Sequence, residues 1–297
     1  MNKIVAVVVT YNRLQKLQKC IGRLLVSQEA CDVIVVNNAS TDGTAEWLES
    51  VSGEGVTVLN SETNIGGAGG FNIGVKEAVG RGYDFVWLMD DDCMVLPETL
   101  TKLMEADAIL GGGYGWLSSV ALWTDGSPCA MNRQKVSSDF YSDAHLLRHT
   151  LLRATQATFV SLFVRSSVVS RFGLPIKEFF IWGDDVEFTR RIAVRGGMRS
   201  FVVGDSVVCH EMNDNNASNI SADGVNRIAR YRYAYRNEAY LYRQEGVKGV
   251  CYFFAKCVLN TWRILLRAKG HRLRRLRTLA QGAFQGLFFS PKVEMLP

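Results

Sequence analysis

Three consecutive carboxylates, Asp90, Asp91 and Asp92, directly follow the apolar segment Phe85–Met89. Adjacent carboxylates at the end of a strand repel one another, which raises their pKa unless a counter-charge lies nearby. A divalent cation supplies that charge, and oxygen ligands suit Mg²⁺ or Mn²⁺. Because side chains alternate along a strand, Asp90 and Asp92 are expected to share one direction. The triple therefore predicts a metal site, and the alternative is a solvated acidic turn in front of a helix from Pro97.

A second acidic pair, Asp184 and Asp185, follows the aromatic segment Phe179–Trp182. A carboxylate that faces a site already holding a metal can act as a general base. The aromatic segment would give such a base an apolar wall on which a substrate stacks. The alternative for Asp184 is helix capping, because a helix is predicted to begin here.

His210 follows the apolar segment Val207–Cys209. A lone histidine is more often structural than a metal ligand. Next to a carboxylate-bound metal, however, it becomes a candidate third ligand. The sequence leaves both interpretations open.

A glycine-rich segment spans residues 65–70 and is predicted to be a loop. Glycines allow the backbone to approach a phosphate or a sugar closely, although a flexible turn is an equal alternative. In proteins that bind NAD, the glycines follow the first strand. Here the first predicted strand is followed by Thr10–Arg13, which argues against NAD.

The residues of chemical interest lie at the ends of predicted strands. Four unbroken apolar runs predict strands that are buried on both faces of a sheet: Ile4–Val9, Val33–Val36, Val56–Leu59 and Phe85–Met89. Helical periodicity between these runs, including a helix from Asp42 to Ser50, predicts a parallel sheet that binds ligands at the carboxyl ends of its strands. Four segments fall at those ends: Thr10–Arg13, Asn37–Asp42, Asn64–Gly70 and Asp90–Asp92.

The pattern is less regular beyond this first half. Four further strands of a mixed sheet are predicted: Trp116–Trp123, Thr158–Arg165, Arg199–Val203 and Ser206–Cys209. A helix is expected at Asp185–Val194, and the polar stretch Asn213–Asp223 predicts a mobile loop. From Val225 onward helical periodicity dominates.

Charge is distributed unevenly along the chain. Of 297 residues, 47% are apolar and 21% are charged, which excludes a disordered or low-complexity protein. The formal net charge is +5, yet residues 246–297 contain ten Lys and Arg and one Glu, a net charge of +9. Such asymmetry predicts an anionic partner for the carboxyl-terminal segment.

Aromatic and aliphatic residues alternate with Lys and Arg throughout this segment, which favours a helix in a membrane interface. The alternative is a helical cap that packs on the rest of the protein with a solvated basic face. Binding to nucleic acid ranks last, because no recognised motif is present.

The 7 cysteines are scattered without a CxxC pair, which is typical of reduced thiols in the cytoplasm. The first apolar run is too short for a signal peptide, and no apolar stretch is long enough to span a bilayer. We therefore expect a cytoplasmic protein that lies peripherally on the inner face of the cell membrane.

Taken in order, the motifs resemble those of the family-2 inverting glycosyltransferases of the GT-A fold. The resemblance covers roughly Ile4 to Tyr242 and looks strongest for the galactofuranosyltransferase and rhamnosyltransferase branch. It rests on five segments: Val8–Arg13, Asn37–Thr44, Asn64–Phe71, Asp90–Asp92 and Trp182–Asp185. The implied fold is α/β: a mixed, mostly parallel sheet flanked by helices, with a helical basic extension. We expect a catalytic domain over residues 1–224 and a membrane-associating segment over 225–297.

The resemblance also implies roles for individual residues. Asp185 would be the catalytic base, with Trp182 and Asp184 forming the wall of the acceptor site. Asp90, Asp92 and His210 would hold the metal. The donor nucleotide would contact eight residues: Thr10, Tyr11, Arg13, Asn38, Asn64, Gly67, Asp90 and Asp91. Many relatives carry an acidic residue where this chain has Asn37-Asn38, which leaves the identity of the base open.

The expected activity is metal-dependent transfer of a sugar, with Mn²⁺ or Mg²⁺, from a nucleoside-diphosphate donor to a lipid-linked glycan. UDP-galactofuranose is the first donor expected and dTDP-rhamnose the second, and the setting would be bacterial surface polysaccharide assembly. The expected partners are the donor, the glycan acceptor and an anionic membrane, with oligomers left open. Two alternatives remain at this point, a sugar-phosphate nucleotidyltransferase and a non-catalytic membrane-bound scaffold.

Overall fold

The computed structural model describes residues 2–53 and 55–296. Ten strands form one sheet: β1 Ile4–Thr10, β2 Asp32–Asn37, β3 Val56–Asn60, β4 Phe85–Asp90, β5 Cys93–Val95, β6 Leu117–Leu122, β7 Lys135–Val136, β8 Leu151–Gln156, β9 Leu162–Arg165 and β10 Phe201–His210. Ten α-helices accompany them in this part of the chain: α1 Leu14–Leu25, α2 Thr44–Val51, α3 Gly66–Gly80, α4 Thr99–Leu110, α5 Ser166–Phe172, α6 Asp184–Arg190, α7 Val225–Ile228, α8 Tyr231–Arg243, α9 Gly246–Arg267 and α10 Arg272–Phe288.

Helices cover both faces of the sheet. Along β1, Ala6 and Val8 belong to the same core cluster as Leu17 of α1. Their neighbours in sequence, including Val7, pack on the opposite face with Phe71 of α3. Side chains alternate between the two faces of a strand, so a strand that is buried on both faces has apolar residues at every position. For this reason the unbroken apolar runs predict these strands correctly.

The strand directions bring distant residues to one edge of the sheet. β4 is parallel to β1, and β1 is parallel to β2. β9 is antiparallel to both β4 and β6, and β10 is parallel to β6. Each antiparallel pairing reverses the strand direction, so the two reversals between β4 and β6 cancel. Because β10 is parallel to β6, it runs in the same direction as β4. The carboxyl ends of β4 and β10 therefore meet, and they carry Asp90 and His210.

The glycine-rich segment is the first turn and a half of α3, so the prediction of a loop is wrong. A Cβ atom at Gly70 would lie 2.5 Å from Val9 Cγ1, and one at Gly74 would lie 2.4 Å from Val7 Cγ1. These glycines allow α3 to pack closely on β1. Tertiary packing outweighs the low helix propensity of glycine here.

Several predicted boundaries also differ. The two segments expected as separate strands near residues 199–209 form the single strand β10, with an irregularity between Val203 and Val207. β9 is shorter than expected and begins at Leu162. The helix expected over Asp185–Val194 begins one residue earlier and ends in a π-helical turn at Arg191–Arg195. Residues 213–223 contain no helix or strand, which fits the predicted loop, and the mobility of this loop stays a prediction.

The carboxyl-terminal helices pack on the rest of the protein and on each other. A Cβ atom at Gly286 of α10 would lie 2.4 Å from Ala239 Cβ of α8. The peptide N–H of Leu174 donates to the carbonyl of Glu294 at 2.9 Å, and Lys76 pairs with the Glu294 carboxylate at 2.6 Å. The segment thus packs on the rest of the protein, as expected for the helical cap that the sequence leaves as an alternative. The domain boundary between residues 224 and 225 stays a prediction. Within the described residues, no helix has both the length and the hydropathy that a bilayer crossing requires.

Candidate active site

The edge of the sheet carries a group of side chains suited to a metal ion. One ligand atom each from Asp90, Asp92 and His210 lies within 4.8 Å of the other two. Two carboxylates and an imidazole form a mixed oxygen and nitrogen donor set, which suits Mn²⁺ better than Mg²⁺, because the ligands of Mg²⁺ are usually oxygens alone. The three residues fit the metal that the motifs predict, although its identity stays a prediction.

His210 is held from both sides. Its Nε2 lies 2.9 Å from Asp92 Oδ1, and its Nδ1 lies 2.7 Å from Asn132 Oδ1. The Asn132 amide nitrogen in turn donates to Thr158 Oγ1 at 3.1 Å. Asn132 was not identified from the sequence, because nothing local to residue 132 indicates a contact with a side chain 78 positions away.

The charges of this group depend strongly on one another. Burial and the neighbouring charge of Asp92 raise the pKa of Asp90 to about 7. Burial disfavours ionised Asp92, but the hydrogen bond and positive charge of His210 lower the pKa of Asp92 to about 2. Burial likewise opposes protonated His210, and its contact with Asp92 raises the pKa of His210 to about 10. The carboxylates therefore need positive charge nearby.

Arg13 and Thr10, at the end of β1, contact the same acidic segment. Thr10 Oγ1 donates to Asp91 Oδ2 at 2.7 Å. Arg13 Nη1 donates to Asp91 Oδ1 at 3.1 Å and to Asp92 Oδ2 at 2.7 Å. Lys16 Nζ lies 3.6 Å from Asp92 Oδ2. The structure thus places two of the predicted donor-binding residues, Thr10 and Arg13, in contact with the acidic triple. It also places Lys16 there, which the sequence analysis does not single out.

The remaining predicted donor residues occupy the neighbouring strand ends. Asn38 is 2% exposed, its amide nitrogen donates to the Gly66 carbonyl at 3.0 Å, and its carbonyl accepts from the Ile65 peptide N–H at 2.9 Å. Asn38 therefore positions the start of α3, and its contact with a base or ribose stays a prediction. Asn64 accepts a hydrogen bond from the peptide N–H of Gly66 at 2.9 Å. Gly67 is half-buried and Tyr11 is exposed.

The second acidic pair lies at the first turn of α6. Gly183 occupies the N-cap position and no side chain caps the helix, so Asp184 is not the cap. Burial, with the charges of Asp185 and Asp90, raises the pKa of Asp184 well above its usual range. Burial also raises the pKa of Asp185 to about 6, although its carboxylate accepts from the Val186 peptide N–H at 2.7 Å. A carboxylate with this pKa is ionised near neutral pH and basic enough to accept a proton.

The segment before this pair has an unusual backbone that two helices hold in place. Phe180 and Trp182 have φ values of +63° and +65°, which non-glycine residues rarely adopt. Asn237 of α8, which is 1% exposed, donates to the carbonyls of Phe179, Ile181 and Trp182 at 2.8–3.1 Å. From the other side, the peptide N–H of Ala68 in α3 donates to the Phe180 carbonyl at 3.1 Å.

Trp182 forms a wall beside the second acidic pair. Its ring packs edge-on against Tyr231 at a centroid distance of 5.2 Å. It also lines a cavity, together with Gly183 and Val186. Asp184 is not among the described residues that line this cavity. The role of Trp182 and Asp184 as the wall of an acceptor site stays a prediction.

The sheet order, the helices on both faces and the acidic site at the strand ends define a GT-A-like nucleotide-diphosphosugar transferase fold. Two solved structures share it: a mannosyltransferase from Pyrobaculum calidifontis in complex with GDP-Man and Mn²⁺, and S. aureus TarS 1–349 in complex with UDP. The first superimposes with a TM-score of 0.57 at 16% identity, covering 96% of this chain and 87% of the other. The second gives 0.54 at 18% identity, with 97% and 72% covered. The predicted fold class is confirmed.

Residues 5–108 match the family described as Glycosyl transferase family 2. The match covers about the first third of the chain, and together with the fold it supports the family-2 glycosyltransferase that the motifs predict. The chain is 28% identical over 258 residues to galactofuranosyltransferase GlfT1 of Mycobacterium tuberculosis, covering 82% of this chain and 84% of that protein. It is 35% identical over 115 residues to an undecaprenyl-phosphate mannosyltransferase of Micrococcus luteus, covering 37% and 47%.

Proposed function

We propose that the protein is a metal-dependent, inverting hexosyltransferase that moves a sugar from a nucleoside-diphosphate donor to a hydroxyl of a lipid-linked glycan. The observation that carries the proposal is the convergence of Asp90, Asp92 and His210 at the sheet edge that also holds Arg13. UDP-galactofuranose is the first candidate donor and dTDP-rhamnose the second. The similarity to a galactofuranosyltransferase over most of both chains supports this order.

A divalent cation held by Asp90, Asp92 and His210 would offset the negative charge that accumulates on the leaving diphosphate. Arg13 and Lys16 add positive charge beside Asp92. Their side chains are partly exposed, so they can approach a diphosphate without leaving the acidic cluster.

Asp185 is assigned as the general base. Its carboxylate accepts the proton of the acceptor hydroxyl while that oxygen forms a bond to the anomeric carbon. The bond from this carbon to the diphosphate oxygen breaks at the same time, and the diphosphate leaves with the electron pair. A single displacement from the opposite face inverts the anomeric configuration, and general-base catalysis contributes about 10²–10⁴-fold.

We further propose that the protein binds the cytoplasmic face of an anionic membrane through α9 and α10. Six residues form an exposed apolar stripe along α9: Tyr252, Val258, Leu259, Trp262, Leu265 and Leu266. Six exposed basic residues lie beside or after the stripe: Arg263, Arg267, Lys269, Arg272, Arg274 and Arg277. Exposed apolar groups flanked by cations match an interface of anionic lipids. The cysteines of the described chain are all free, which supports a reducing compartment.

The proposed activity is tested with a panel of UDP, dTDP and GDP, each with and without Mn²⁺. A ligand that binds the folded state raises the melting temperature. We expect one nucleoside diphosphate to raise the melting temperature only when Mn²⁺ is present. The nucleotide sugar that contains this diphosphate should then act as the donor in a transfer assay. Asp185→Asn should retain the Mn²⁺-dependent shift and lose transfer, because an amide cannot accept the proton. A protein that binds no nucleoside diphosphate under any condition would refute the proposal.

A further inference from the structure

Glu187 is a carboxylate that lies fully inside the protein, on the helix of the second acidic pair. It is 0% exposed and belongs, with Asp184 and Asp185, to the first turn of α6. Arg191, one turn later and 8% exposed, places its Nη2 2.9 Å from Glu187 Oε2. The desolvation of a buried ion pair often cancels the attraction between its charges. Stability alone is therefore a weak explanation of this pair.

Arg191 connects Glu187 to main-chain groups outside α6. Its Nε donates to Glu187 Oε2 at 3.1 Å, its Nη2 donates to the Leu174 carbonyl at 2.9 Å, and its Nη1 donates to the Phe172 carbonyl. Phe172 is the last residue of α5, and Leu174 lies two residues further on. A guanidinium is planar and its N–H groups point in fixed directions. These contacts therefore define one orientation of Glu187 relative to the end of α5.

The π-helical turn Arg191–Arg195 brings a second arginine to the same carboxylate. In a regular α-helix, a residue eight positions further along lies about 80° away around the axis. A π-helical turn takes up an extra residue, and Arg195 pairs with Glu187 Oε1 across the eight positions that separate them. Both oxygens of Glu187 are thus held by guanidinium groups, which fixes the direction of its side chain.

The contacts of Glu187 oppose rotation of α6 about its own axis. The helix has only seven residues, and Glu187 and Asp185 share its first turn, so a rotation that displaces Glu187 also displaces Asp185. The apolar contact of this helix, Phe188 against Phe159 at a centroid distance of 5.8 Å, is less directional. We propose that Glu187 and Arg191 are positioning residues that set the direction of the Asp185 carboxylate. The inference rests on the proposed function, in which Asp185 is the general base.

Positioning and stabilisation predict different outcomes when the pair is replaced. Glu187→Leu with Arg191→Met exchanges the two charges for apolar side chains of similar size, a change that often preserves or raises stability. Arg195 is partly exposed, so water solvates its charge in this variant. If the pair only stabilises the fold, kcat should follow the melting temperature. If it positions Asp185, kcat should fall although the melting temperature does not.

A second variant separates charge from geometry. Arg191→Lys retains a positive charge beside Glu187, but an ammonium group cannot reproduce the planar fork. It would lose the simultaneous contacts with Glu187 and with the carbonyls of Phe172 and Leu174. Positioning by the fork therefore predicts that Arg191→Lys also lowers kcat.

The control replaces a buried ion pair elsewhere in the molecule. Asp107 is 6% exposed and accepts from Arg165 Nε at 2.9 Å and from Arg165 Nη2 at 2.7 Å. Arg165 lies opposite Phe85, the first residue of β4, whereas Asp90 is the last residue of that strand. Asp107→Leu with Arg165→Met therefore makes a matching exchange at the edge of the sheet away from the candidate site.

Transfer is measured with UDP-galactofuranose and dTDP-rhamnose as donors and with octyl β-galactofuranoside and octyl α-rhamnoside as soluble acceptors. Melting curves report on the fold, and the Mn²⁺-dependent melting shift with UDP or dTDP reports on the donor site. We expect kcat to fall by at least about tenfold in Glu187→Leu with Arg191→Met and in Arg191→Lys, because a small misplacement of a reacting group is costly. The Mn²⁺-dependent shift should stay as in the wild type. The control should keep the kcat of the wild type whatever its melting temperature.

Wild-type kcat in folded Glu187→Leu with Arg191→Met overturns the inference. If that variant does not fold, wild-type kcat in Arg191→Lys overturns it. An equal loss of kcat in the folded control overturns it as well, because the loss would then follow from removing any buried ion pair. Wild-type protein that binds no nucleoside diphosphate would instead refute the proposed function, a distinguishable result.

Discussion

Asn132 connects the candidate metal group, which consists of Asp90, Asp92 and His210, to the loop that follows β8. Its carbonyl oxygen lies 2.7 Å from His210 Nδ1, and the opposite ring nitrogen faces Asp92. A partner on the second nitrogen of a ligating histidine fixes the tautomer and the ring orientation. Asn132→Leu should therefore weaken Mn²⁺ binding by about 10–100-fold, measured as free Mn²⁺ by electron paramagnetic resonance.

Two variants separate this role from simple packing. Thr158→Val removes the hydrogen bond on the other side of Asn132 and should retain Mn²⁺ affinity. Asn132→Asp retains an acceptor oxygen for His210 and should retain affinity as well. Wild-type affinity in Asn132→Leu would show that the residue does not orient a metal ligand.

The pKa of Asp185, which burial raises to about 6, predicts the acidic side of the pH profile. A general base acts only when it is ionised, and the protonated fraction grows as the pH falls below the pKa. At saturating Mn²⁺, kcat/KM for the acceptor should therefore decrease as the pH is lowered through about 6. Above that range the profile should be level.

Asp90 and Asp91 have raised pKa values of about 7 and about 6, so their titration must be distinguished from that of Asp185. Donor affinity is measured over the same pH range for this purpose. If donor affinity falls in parallel with kcat/KM, the carboxylates of the metal group are responsible and the assignment to Asp185 loses its support.

At the scale of elements, the segment Phe179–Trp182 lies between α3 and α8 and carries the acidic pair. Positive φ values at two non-glycine residues cost about 1–3 kcal/mol each, so the surrounding contacts must hold them. Asn237 supplies three of these contacts, because the two N–H groups of its amide nitrogen are shared among three carbonyls. The position of Asp185 therefore depends on a helix from the carboxyl-terminal region.

Asn237→Ala should lower kcat by at least about tenfold while the Mn²⁺-dependent donor shift persists. The variant removes this donor from the carbonyls of Ile181 and Trp182, at a cost of about 1–3 kcal/mol, whereas the Phe179 carbonyl keeps the Ile181 peptide N–H and Arg236. We therefore expect the segment to relax and Asp185 to move. Thr278→Ala is the control, because Thr278 is buried in α10 and bonds only to its own helix, at the Arg274 carbonyl. If the variant has a lower melting temperature but the kcat of the wild type, Asn237 stabilises the fold without positioning Asp185.

Sequence patterns predict those elements that carry an unbroken apolar run or a helical periodicity. The strands β1 to β4 follow from the former, and the helices after Val225 follow from the latter. The helix at Gly66–Gly80 does not, because its glycines are required by contacts with β1 that no local rule contains. The same limit applies to the site. Asp90, Asp92 and His210 are recognisable by type and setting, whereas Asn132 and Asn237 act through contacts distant in sequence.

At the scale of the whole molecule, the carboxyl-terminal segment both packs and exposes apolar surface. Arg275, which is 5% exposed, donates to the carbonyls of Ile220 and Asp223, and α10 packs closely on α8. Removing this segment would therefore disturb the fold as well as any membrane contact. Membrane binding is better tested on side chains that α9 and α10 expose to solvent.

Trp262→Gln with Leu266→Gln should abolish the salt-resistant part of binding to anionic vesicles. These side chains are 58% and 72% exposed, so their loss costs the fold little, whereas insertion into lipid depends on them. Arg267→Gln, Arg274→Gln and Arg277→Gln together should instead reduce binding at low salt. Each basic residue contributes about 1 kcal/mol near an anionic surface, and salt screens that attraction.

The control carries Leu25→Gln and Ile109→Gln, two exposed apolar residues on α1 and α4 that lie outside the stripe. It should sediment with phosphatidylserine vesicles as the wild type does at both low and high salt. Melting curves establish that every variant is folded, which separates lost lipid contact from lost structure. If the stripe variant and the arginine variant both sediment like the wild type, α9 and α10 do not form the membrane surface. The exposed stripe would then need a protein partner, and sedimentation without vesicles would detect self-association through it.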